Sequence, residues 1–388
     1  MIRTRIQPNP NSSPIDVKII KTGEKAFQEL RSCLEQTKKS FEMRCFVWRD
    51  DETGNAAAEA ILEAADRGVK VTIHKDLMGA MYEHFDPNMH SFFHKKLGFW
   101  DLMKLIGLCW AYGHGPPKKQ IPNPLAGRMI QHPNIQLFHE KKLHSHSKIF
   151  IFDEKVLFTG GMGIGNDFRT EWVDLLVRVD SEDLVKRFYE RMEGAAPKEL
   201  ESPLDFLVNV NTPSGRRDYM VLGKRLEALA NTKKRLTMEM AYLGDQRITD
   251  PIVDLVNRGV EVSITISAHA NILNDYNLQI LDEILKRTDS PDNLRTFLHP
   301  KMVHTKLMVF DGQIAQLGST NCTALSHDTF EETDLWIQDP SIARALEDIV
   351  FERTKNCDRM KQQCPFDPVY ARVERSLQKA GWYRPENE

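Results

Sequence analysis

The 388-residue sequence lacks several features that would assign it to a familiar class of protein. It has no run of about 20 apolar residues, and its first segment, MIRTRIQPNPNSSP, has no apolar core, so we expect neither a membrane span nor a signal peptide. The net charge is only −3, which excludes a global basic field that would attract nucleic acid or anionic lipid. An anionic substrate must therefore be bound by local charges.

Cysteine is also scarce. The six cysteines lack the spacing of zinc ligands. Cys357 and Cys364 are close enough in sequence to pair, but we expect reduced thiols and a cytoplasmic location. The hydrophobic content of 41% supports a real core, and the length suits two domains or one large duplicated one.

One sequence pattern occurs twice. From His146 the chain reads HSKIFIFDEKVLFTGGMG, and from His304 it reads HTKLMVFDGQIAQLGSTN. In both copies Lys follows His by two positions, Asp follows Lys by five, and Gly follows His by 14. An acidic residue stands 28 positions after each His, Asp174 in the first copy and Glu332 in the second. Two copies in the same register indicate an internal duplication.

A strand–helix–strand unit precedes each copy and predicts parallel pairing within an α/β fold. The predicted elements are the strands 43–48, 69–74, 234–243 and 260–267 and the helices 56–67 and 248–259. The tripeptide RGV recurs after 191 residues, whereas the two His residues lie only 158 apart. The first half therefore has 33 extra residues between its RGV and its His, and this insertion falls within about 76–135. We predict domains 1–200 and 201–388, a loose arm over 1–14, and a linker over 195–218.

The insertion contains an amphipathic segment at 92–110. One helical face carries large apolar side chains, namely Phe99, Leu102, Met103, Ile106 and Trp110. Two interpretations are open. The helix lies in a membrane surface or covers an acyl-chain pocket, or it packs on its own domain.

The repeated pattern provides the groups needed for phosphoryl chemistry. Strand geometry places His146 beside Lys148, and His304 beside Lys306, on one face of each strand. An ammonium group discourages protonation of the imidazole and attracts phosphate oxygens. One imidazole attacks phosphorus, and the other protonates the leaving alcohol.

Other residues of the pattern have supporting roles. Asp174 and Glu332, each at the same spacing from its own His, are candidates for the carboxylate that sets the imidazole tautomer. Asn321 and Ser319 can add hydrogen bonds to substrate. We interpret the two motif aspartates, Asp153 and Asp311, as structural, and we find no residue set for a metal or other cofactor.

The two copies resemble the HxKxxxxD signature of the phospholipase D superfamily, and in detail its bacterial cardiolipin synthase-like members. The matching segments are GGMGIGNDF (160–168) and GSTN (318–321), where such members typically have GGxNIGDEY and GSxN. The resemblance implies two α-β-α sandwich halves related by a pseudo-twofold axis, with the active site between them. It also implies a metal-free phosphohistidine mechanism, with His146 as nucleophile and His304 as acid.

The sequence departs from this pattern at Gly163, where the family has Asn. Asn166, three residues later, is a candidate substitute, and we add Gly161 to the predicted substrate-binding residues.

Three functions are compatible with these residues. The first is phosphatidyl transfer or hydrolysis on a phospholipid by a monomer at a membrane surface, without nucleic acid. The second is a metal-independent nuclease of the same superfamily, which the near-neutral charge disfavours. The third, suggested by Gly163, is a weakened phospholipid-binding relative.

Overall fold

The fold is built on two mixed β-sheets. The computed structural model describes residues 2–6, 14–79, 82–83, 90–93, 98–112, 122–139, 144–197, 199–200, 202–212, 215–361 and 363–379. The first sheet contains β1 (Ile2–Ile6), β2 (Ile15–Ile20), β3 (Ser40–Cys45), β4 (Lys70–Lys75), β5 (Ile135–Phe138), β6 (Ile149–Phe152), β7 (Val156–Gly160) and β8 (Leu176–Asp180). The second contains β9 (Leu204–Asn211), β10 (Arg217–Tyr219), β11 (Arg235–Met240), β12 (Glu261–Ser267), β13 (Leu294–His299), β14 (Lys306–Phe310), β15 (Ile314–Gly318), β16 (Glu332–Ile337) and β17 (Asp358–Met360).

Helices cover these sheets. Those in the described ranges are α1 (Gly23–Gln36), α2 (Glu52–Asp66), α3 (Phe99–Ala111), α4 (Pro124–Gln131), α5 (Glu182–Glu193), α6 (Val221–Asn231), α7 (Gln246–Asn257), α8 (Asn274–Arg287), α9 (Ala324–Asp328), α10 (Pro340–Thr354) and α11 (Pro368–Lys379). A π-helical turn spans Asp167–Glu171, and a 3-10 turn spans Pro291–Asn293.

The two sheets repeat one topology, which confirms the predicted α/β fold with duplicated halves. Seven strands of the first sheet run β2-β8-β7-β6-β3-β4-β5, and seven of the second run β9-β16-β15-β14-β11-β12-β13. In each sheet the strands on either side of the predicted crossover helix pair in parallel, β3 with β4 and β11 with β12. The strand that follows each His pairs antiparallel with the first of these.

Side-chain alternation along β6 and β14 explains how the halves meet. Ile149 and Ile151 share a buried core with Leu307 and Val309, and α5 and α10 contribute to the same core. The alternate residues of both strands, such as Phe150 and Met308, belong instead to separate cores that contain α1 and α2 or α6, α7 and α8. The period-two pattern of a strand thus supplies both an interface between the halves and an outer core for each.

Two sequence-based expectations about the chain between elements are wrong. The predicted linker, 195–218, contains β9, whose six residues 204–209 pair with β16 in the interior of the second sheet. The apolar run LDFLVNV carries this strand, although breaker residues flank it. The predicted loose arm contains β1, which pairs antiparallel with β2. The boundary between domains 1–200 and 201–388 stays a prediction.

Two further expectations concerned the state of the cysteines and membrane-spanning helices. All six cysteines are free thiols in the structure. Over the ranges given above, no helix combines the length and apolar character needed to cross a bilayer.

Candidate active site

The two His residues lie at the line where the halves meet. Both precede their strands and are not part of them, because β6 begins at Ile149 and β14 at Lys306. The backbone N–H of His146 donates to the carbonyl of Glu331 at 2.8 Å, and that of His304 donates to the carbonyl of Val173 at 2.7 Å. Each motif is therefore fixed by main-chain hydrogen bonds to the opposite half.

These bridges determine which carboxylate each imidazole contacts. Nδ1 of His146 lies 3.0 Å from Oε2 of Glu332, and Nδ1 of His304 lies 2.9 Å from Oδ2 of Asp174. The sequence spacing assigned each carboxylate to the His of its own copy, and the structure corrects this assignment by exchanging them. The reason is that each carboxylate directly follows the residue that accepts the hydrogen bond from the opposite His. All four side chains are almost fully buried.

The imidazoles are neutral near pH 7. Burial lowers the pKa of His146 to about 4, an effect that Glu332 only partly opposes. Burial, followed by the charges of Lys306 and Lys148, lowers the pKa of His304 well below its usual value. With the carboxylate at Nδ1, the neutral tautomer carries its proton there and leaves Nε2 with a free lone pair. Such a nitrogen is suited to nucleophilic attack.

The two carboxylates differ in their electrostatic surroundings. Burial raises the pKa of Asp174 to about 6, because it disfavours the charged form. Burial acts in the same direction on Glu332, but the neighbouring His146 and Lys148 outweigh it and the pKa is lowered. The duplicated halves are therefore not electrostatically equivalent.

The two lysines are held in the same way in each half. The Nζ of Lys148 donates to the carbonyl of His146 at 2.6 Å, and that of Lys306 donates to the carbonyl of His304 at 2.6 Å. Burial lowers the pKa of Lys148 to about 8 and that of Lys306 to about 7. An incoming anion would stabilise the charged form of both groups.

A cavity of about 300 Å³ opens over this constellation. His146, Lys148, His304 and Asn321 line it, so the structure brings these predicted residues together. Lys306 does not line the cavity, although its charge acts on His304.

Aromatic rings form part of the cavity wall. Phe330 stacks on His146 with ring centroids 5.7 Å apart, and Trp172 lies against His304 at 5.1 Å. Each aromatic residue precedes its carboxylate by two positions. Sequence reasoning missed this pair, and the in-register repeat was the signal that could have revealed it.

Three residues predicted to bind substrate do not line the cavity. Ser319 donates to Glu332 at 2.5 Å and so orients the carboxylate. A side chain at Gly161 would come within 2.6 Å of the Asp174 carboxylate, which places Gly161 beside that carboxylate. Asn166 accepts hydrogen bonds from Thr53 at the start of α2, because its amide oxygen faces that helix terminus.

Gly163 has a steric explanation in this structure. A Cβ at this position would lie 2.8 Å from the ring of Phe168, which packs edge-on against His304 at 5.2 Å. The space that an Asn side chain would need is occupied by an aromatic ring. The corresponding residue of the second copy, Asn321, is retained and faces the cavity.

Asp153 and Asp311 lie at the far ends of β6 and β14 from the two His residues. The carboxylate of Asp153 accepts N–H groups from residues 38–40, and that of Asp311 accepts N–H groups from residues 233–235. Both residues have positive φ angles, 51° and 53°, in the turn that follows the strand. Their contacts join the motif strand to the start of the neighbouring strand.

Comparison with known proteins places this geometry in a family. The sequence model described as "Cardiolipin synthase, PLD-like domain" matches residues 30–195 and 226–354. The cardiolipin synthase of Clostridium perfringens (strain SM101) is 21% identical over 378 residues, covering 89% of this chain and 71% of the relative. A probable cardiolipin synthase of Bacillus subtilis (strain 168) is 21% identical over 364 residues, covering 86% of this chain and 64% of the relative.

Solved structures show the same fold at low sequence identity. A phosphatidylserine synthase of Haemophilus influenzae superposes with a TM-score of 0.69 at 12% identity, over 94% of this chain and 93% of that one. A polyphosphate kinase of Porphyromonas gingivalis has a TM-score of 0.54 at 12% identity, over 94% of this chain and 53% of that one. The chain has the phospholipase D fold, and it belongs to the family of cardiolipin synthase, PLD-like domains. The resemblance noted in the sequence is thereby confirmed.

Proposed function

We propose that the protein is a phosphatidyltransferase or phospholipase D-type phosphodiesterase that acts on phospholipids, as in cardiolipin synthases. The observation that carries the proposal is the exchange of carboxylates between two buried imidazoles over one cavity. Each half alone lacks the carboxylate that orients its His. The arrangement is suited to a single phosphodiester bound between the halves.

The first step uses the neutral imidazole of His146 as nucleophile. Its Nε2 forms a bond to phosphorus while the bond from phosphorus to the leaving alcohol oxygen breaks. His304, protonated when the anionic substrate is bound, gives its proton to that oxygen. Lys148 offsets the charge on the phosphoryl oxygens and Asn321 is placed to hydrogen-bond to one of them, because both line the cavity. Lys306 adds its charge without lining the cavity.

The second step reverses these roles. The hydroxyl oxygen of an acceptor attacks phosphorus, the bond from phosphorus to His146 breaks, and His304 takes the hydroxyl proton. Water as acceptor gives hydrolysis, whereas an alcohol gives transfer. Which acceptor reacts depends on what the rest of the cavity binds.

The activity is tested by incubation with labelled phosphatidylglycerol, labelled phosphatidylethanolamine and plasmid DNA in parallel. We expect cleavage or transfer of a phospholipid, detected by mass spectrometry, and intact plasmid on a gel. His146→Asn and His304→Asn should each abolish turnover because both groups are required. Cleavage of the plasmid alone would favour a nuclease, and appreciable turnover in both variants would exclude the two-histidine scheme.

The proposed reaction uses protein cations in place of a metal ion. Among the residues that the structure describes, no cluster of His, Cys, Asp or Glu could hold a metal. We expect EDTA to leave phospholipid turnover unchanged, measured against an untreated sample of the same enzyme. Strong inhibition that added Mg²⁺ or Zn²⁺ reverses would contradict this part of the proposal.

The exposed face of α3 supports contact with a membrane surface. The face identified in the sequence is not packed, since Phe99 is 69% exposed and Trp110 is 83% exposed. The opposite face, with Leu105 and Leu108, packs into the apolar cluster around the cavity. Indole rings with this exposure favour the water–lipid interface, so α3 joins the lipid phase to the wall of the site.

This contact is tested by sedimentation with anionic vesicles. The double variant Phe99→Ser, Trp110→Ser should lower the bound fraction about tenfold or more, since it removes two large apolar contacts. Ile130→Ser, at a half-exposed apolar position on α4, is the matched control and should bind like the unaltered protein. Equal binding by all three proteins would instead favour the interpretation that α3 only packs on its own domain.

A further inference from the structure

A buried arginine of α6 holds the loop that carries Asn321. Arg225 is only 1% exposed. Its Nη2 donates to the carbonyl of Thr320 at 2.7 Å, and its Nη1 donates to the carbonyl of Asn321 at 2.9 Å. The loop that follows β15 is therefore bound at two successive carbonyls by one planar guanidinium.

Two further side chains tie the guanidinium to the same loop. The Nε of Arg225 donates to the amide oxygen of Gln316 at 2.9 Å, and the amide nitrogen of Gln316 donates to Oδ2 of Asp334 at 2.6 Å. The Oδ1 of Asp334 accepts the backbone N–H of Thr320 at 3.0 Å. Both the N–H and the carbonyl of Thr320 are therefore held by this network.

An imidazole completes the network on the other side of the guanidinium. An arginine can only donate, so the Nε2 of His327, 2.8 Å from Nη1 of Arg225, is the acceptor. The proton of this neutral ring is then on Nδ1, which donates to Oδ2 of Asp245 at 2.6 Å. The backbone N–H of Asp245 donates to the carbonyl of Cys322 at 3.0 Å, so the network also reaches the residue after Asn321.

The duplication identifies the corresponding positions of the first half. The pairing of β7 with β8 has the same register as that of β15 with β16, so equivalent strand residues lie 158 apart. The helices α1 and α6 end at Thr37 and Thr232, and each of these hydroxyls donates to the carbonyl four residues earlier. These threonines lie 195 apart, which makes Leu30 the counterpart of Arg225.

The first half is apolar where the second half carries this network. Three of the polar residues have apolar counterparts that pack in the core around α1 and α2, namely Leu30 for Arg225, Phe158 for Gln316 and Leu176 for Asp334. The first half also has Gly163 in place of Asn321. The same fold thus accepts an apolar core at this place, and such a core is often at least as stable as buried charge. Stability alone therefore does not explain the network, which occurs in the half that retains Asn321.

We propose that Arg225 positions Asn321 for the reaction by fixing the backbone on both sides of it. This inference rests on the proposed function and deepens it. The carbonyls of Thr320 and Asn321 belong to the two planar peptide units that flank the Cα of Asn321. With both units held, the Cα–Cβ bond of Asn321 has one direction, and its side chain lines the cavity. Arg225 itself does not line the cavity, so it is a positioning residue and not a catalytic one.

The position of Asn321 matters most in the transition state. Charge is then spread over the equatorial phosphoryl oxygens, and a hydrogen-bond donor stabilises it best from a preset position. A displacement of about 1 Å can lower the rate about 100-fold. Loss of Arg225 frees the two peptide units beside Asn321, so we expect its effect in kcat and not in KM.

The test is a double-mutant cycle between Arg225 and Asn321, measured by steady-state kinetics on the phospholipid that the enzyme cleaves. Arg225→Lys keeps the charge, but a single ammonium cannot replace the planar fork that binds both carbonyls. We expect kcat to fall about 10- to 100-fold, with KM changed less than about threefold. Asn321→Ala alone should lower kcat about 100-fold, as the loss of one transition-state donor does. In the Asn321→Ala background, Arg225→Lys should change kcat less than about twofold, because it acts only through Asn321.

Arg191→Lys is the matched control. Arg191 is likewise buried, at 3% exposed, and donates to Asp205 and to two backbone carbonyls, but these partners lie outside residues 318–322. The control should lower the melting temperature about as much as Arg225→Lys does, and it should leave kcat of the folded enzyme unchanged.

A second variant decides if Arg225→Lys does not fold, as judged by thermal unfolding. The triple variant Arg225→Leu, Gln316→Phe, Asp334→Leu gives the second half the apolar residues of the first. It should fold and lower kcat to the level of Asn321→Ala. Failure of both variants to fold would make the network a requirement of the fold and would overturn the inference.

The remaining outcomes separate this inference from the proposed function. Phospholipid cleavage with an unchanged kcat in Arg225→Lys refutes the positioning role alone, as does a full additional loss in the Asn321→Ala background. If the unaltered enzyme cleaves plasmid DNA instead, the proposed function fails, and the same cycle on DNA still decides the role of Arg225. Inactivity toward both substrates refutes the proposed function and the positioning role with it.

Discussion

The exchange of carboxylates between the halves predicts a specific result for Glu332→Gln. In the structure both carboxylate oxygens lie within 3.2 Å of Nδ1 of His146, and Oε2 also accepts the Ser319 hydroxyl at 2.5 Å. In the variant the amide oxygen takes the Ser319 hydrogen bond, because the hydroxyl is a donor there. The NH₂ group then takes the position of Oε1, 3.2 Å from Nδ1, and competes for this nitrogen with the amide oxygen at 3.0 Å. The neutral amide therefore holds the proton on Nδ1 less firmly than the carboxylate does, and the share of His146 with a free lone pair on Nε2 falls.

The size of the effect follows from this loss of tautomer control. Glu332 is fully buried, so water does not replace the lost carboxylate. The corresponding change in a Ser–His–Asp triad lowers kcat roughly 10⁴-fold without altering geometry. We expect kcat to fall about 10³- to 10⁴-fold, which is about 4 to 5.5 kcal/mol in activation free energy. KM should change little, because Glu332 does not line the cavity.

Two measurements check the prediction. Steady-state kinetics on the labelled phospholipid give kcat and KM, with Asp174→Asn as the matched variant of the other pair. Nitrogen-15 NMR of histidine-labelled protein reports the tautomer of each ring, and the 13 histidines can be assigned by comparison with His146→Asn and His304→Asn. Glu332→Gln should alter the His146 signals and leave those of His304 in place. A change at His304 with none at His146 would refute the exchanged pairing.

The remaining predictions concern the fold, the pH profile and the hydrogen bonds of the carboxylate. Asp311→Ala should lower the free energy of unfolding by about 2–4 kcal/mol in urea titrations, because three backbone N–H groups lose a charged acceptor. Since the pKa values of Lys306 and Lys148 are lowered to about 7 and about 8, kcat/KM should decline as pH rises through that range, and a constant kcat/KM up to pH 10 would contradict it. Ser319→Ala should lower kcat about tenfold by loosening Glu332, with unchanged vesicle binding as the control.

The repeated pattern was sufficient to predict much of the fold. The His-to-Gly spacing and the two RGV tripeptides indicated duplicated halves, and the sheets have the same order of seven strands. The strands and helices of each half were predictable because side-chain alternation in a strand and the residues that end a helix are local in sequence. The interior strand β9 was missed because its flanks contain breaker residues, whereas its pairing with β16 depends on residues more than 120 positions away.

The candidate site was predictable in its residues but not in its connections. Spacing identified the His residues and their two carboxylates, yet it carries no information on how the halves pack. The exchange depends on main-chain bridges at Glu331 and Val173, which form only when the halves meet. Arg225 was missed for a similar reason, because its contacts with Thr320 and Asn321 form only when α6 packs on the second sheet.

The differences between the halves bear on how the two histidines divide their work. A perfectly symmetric site would give both imidazoles the same role, but Asp174 and Glu332 have pKa values shifted in opposite directions. The lowered pKa of Glu332 keeps it anionic, which holds the proton on Nδ1 of His146 and favours Nε2 as nucleophile. Asp174 lies nearer its protonated form, which suits the proposed role of the His304 pair in proton transfer. Both carboxylates are buried, but the neighbours of Glu332 outweigh its burial whereas those of Asp174 do not, and this difference supports the proposed roles of His146 as nucleophile and His304 as general acid.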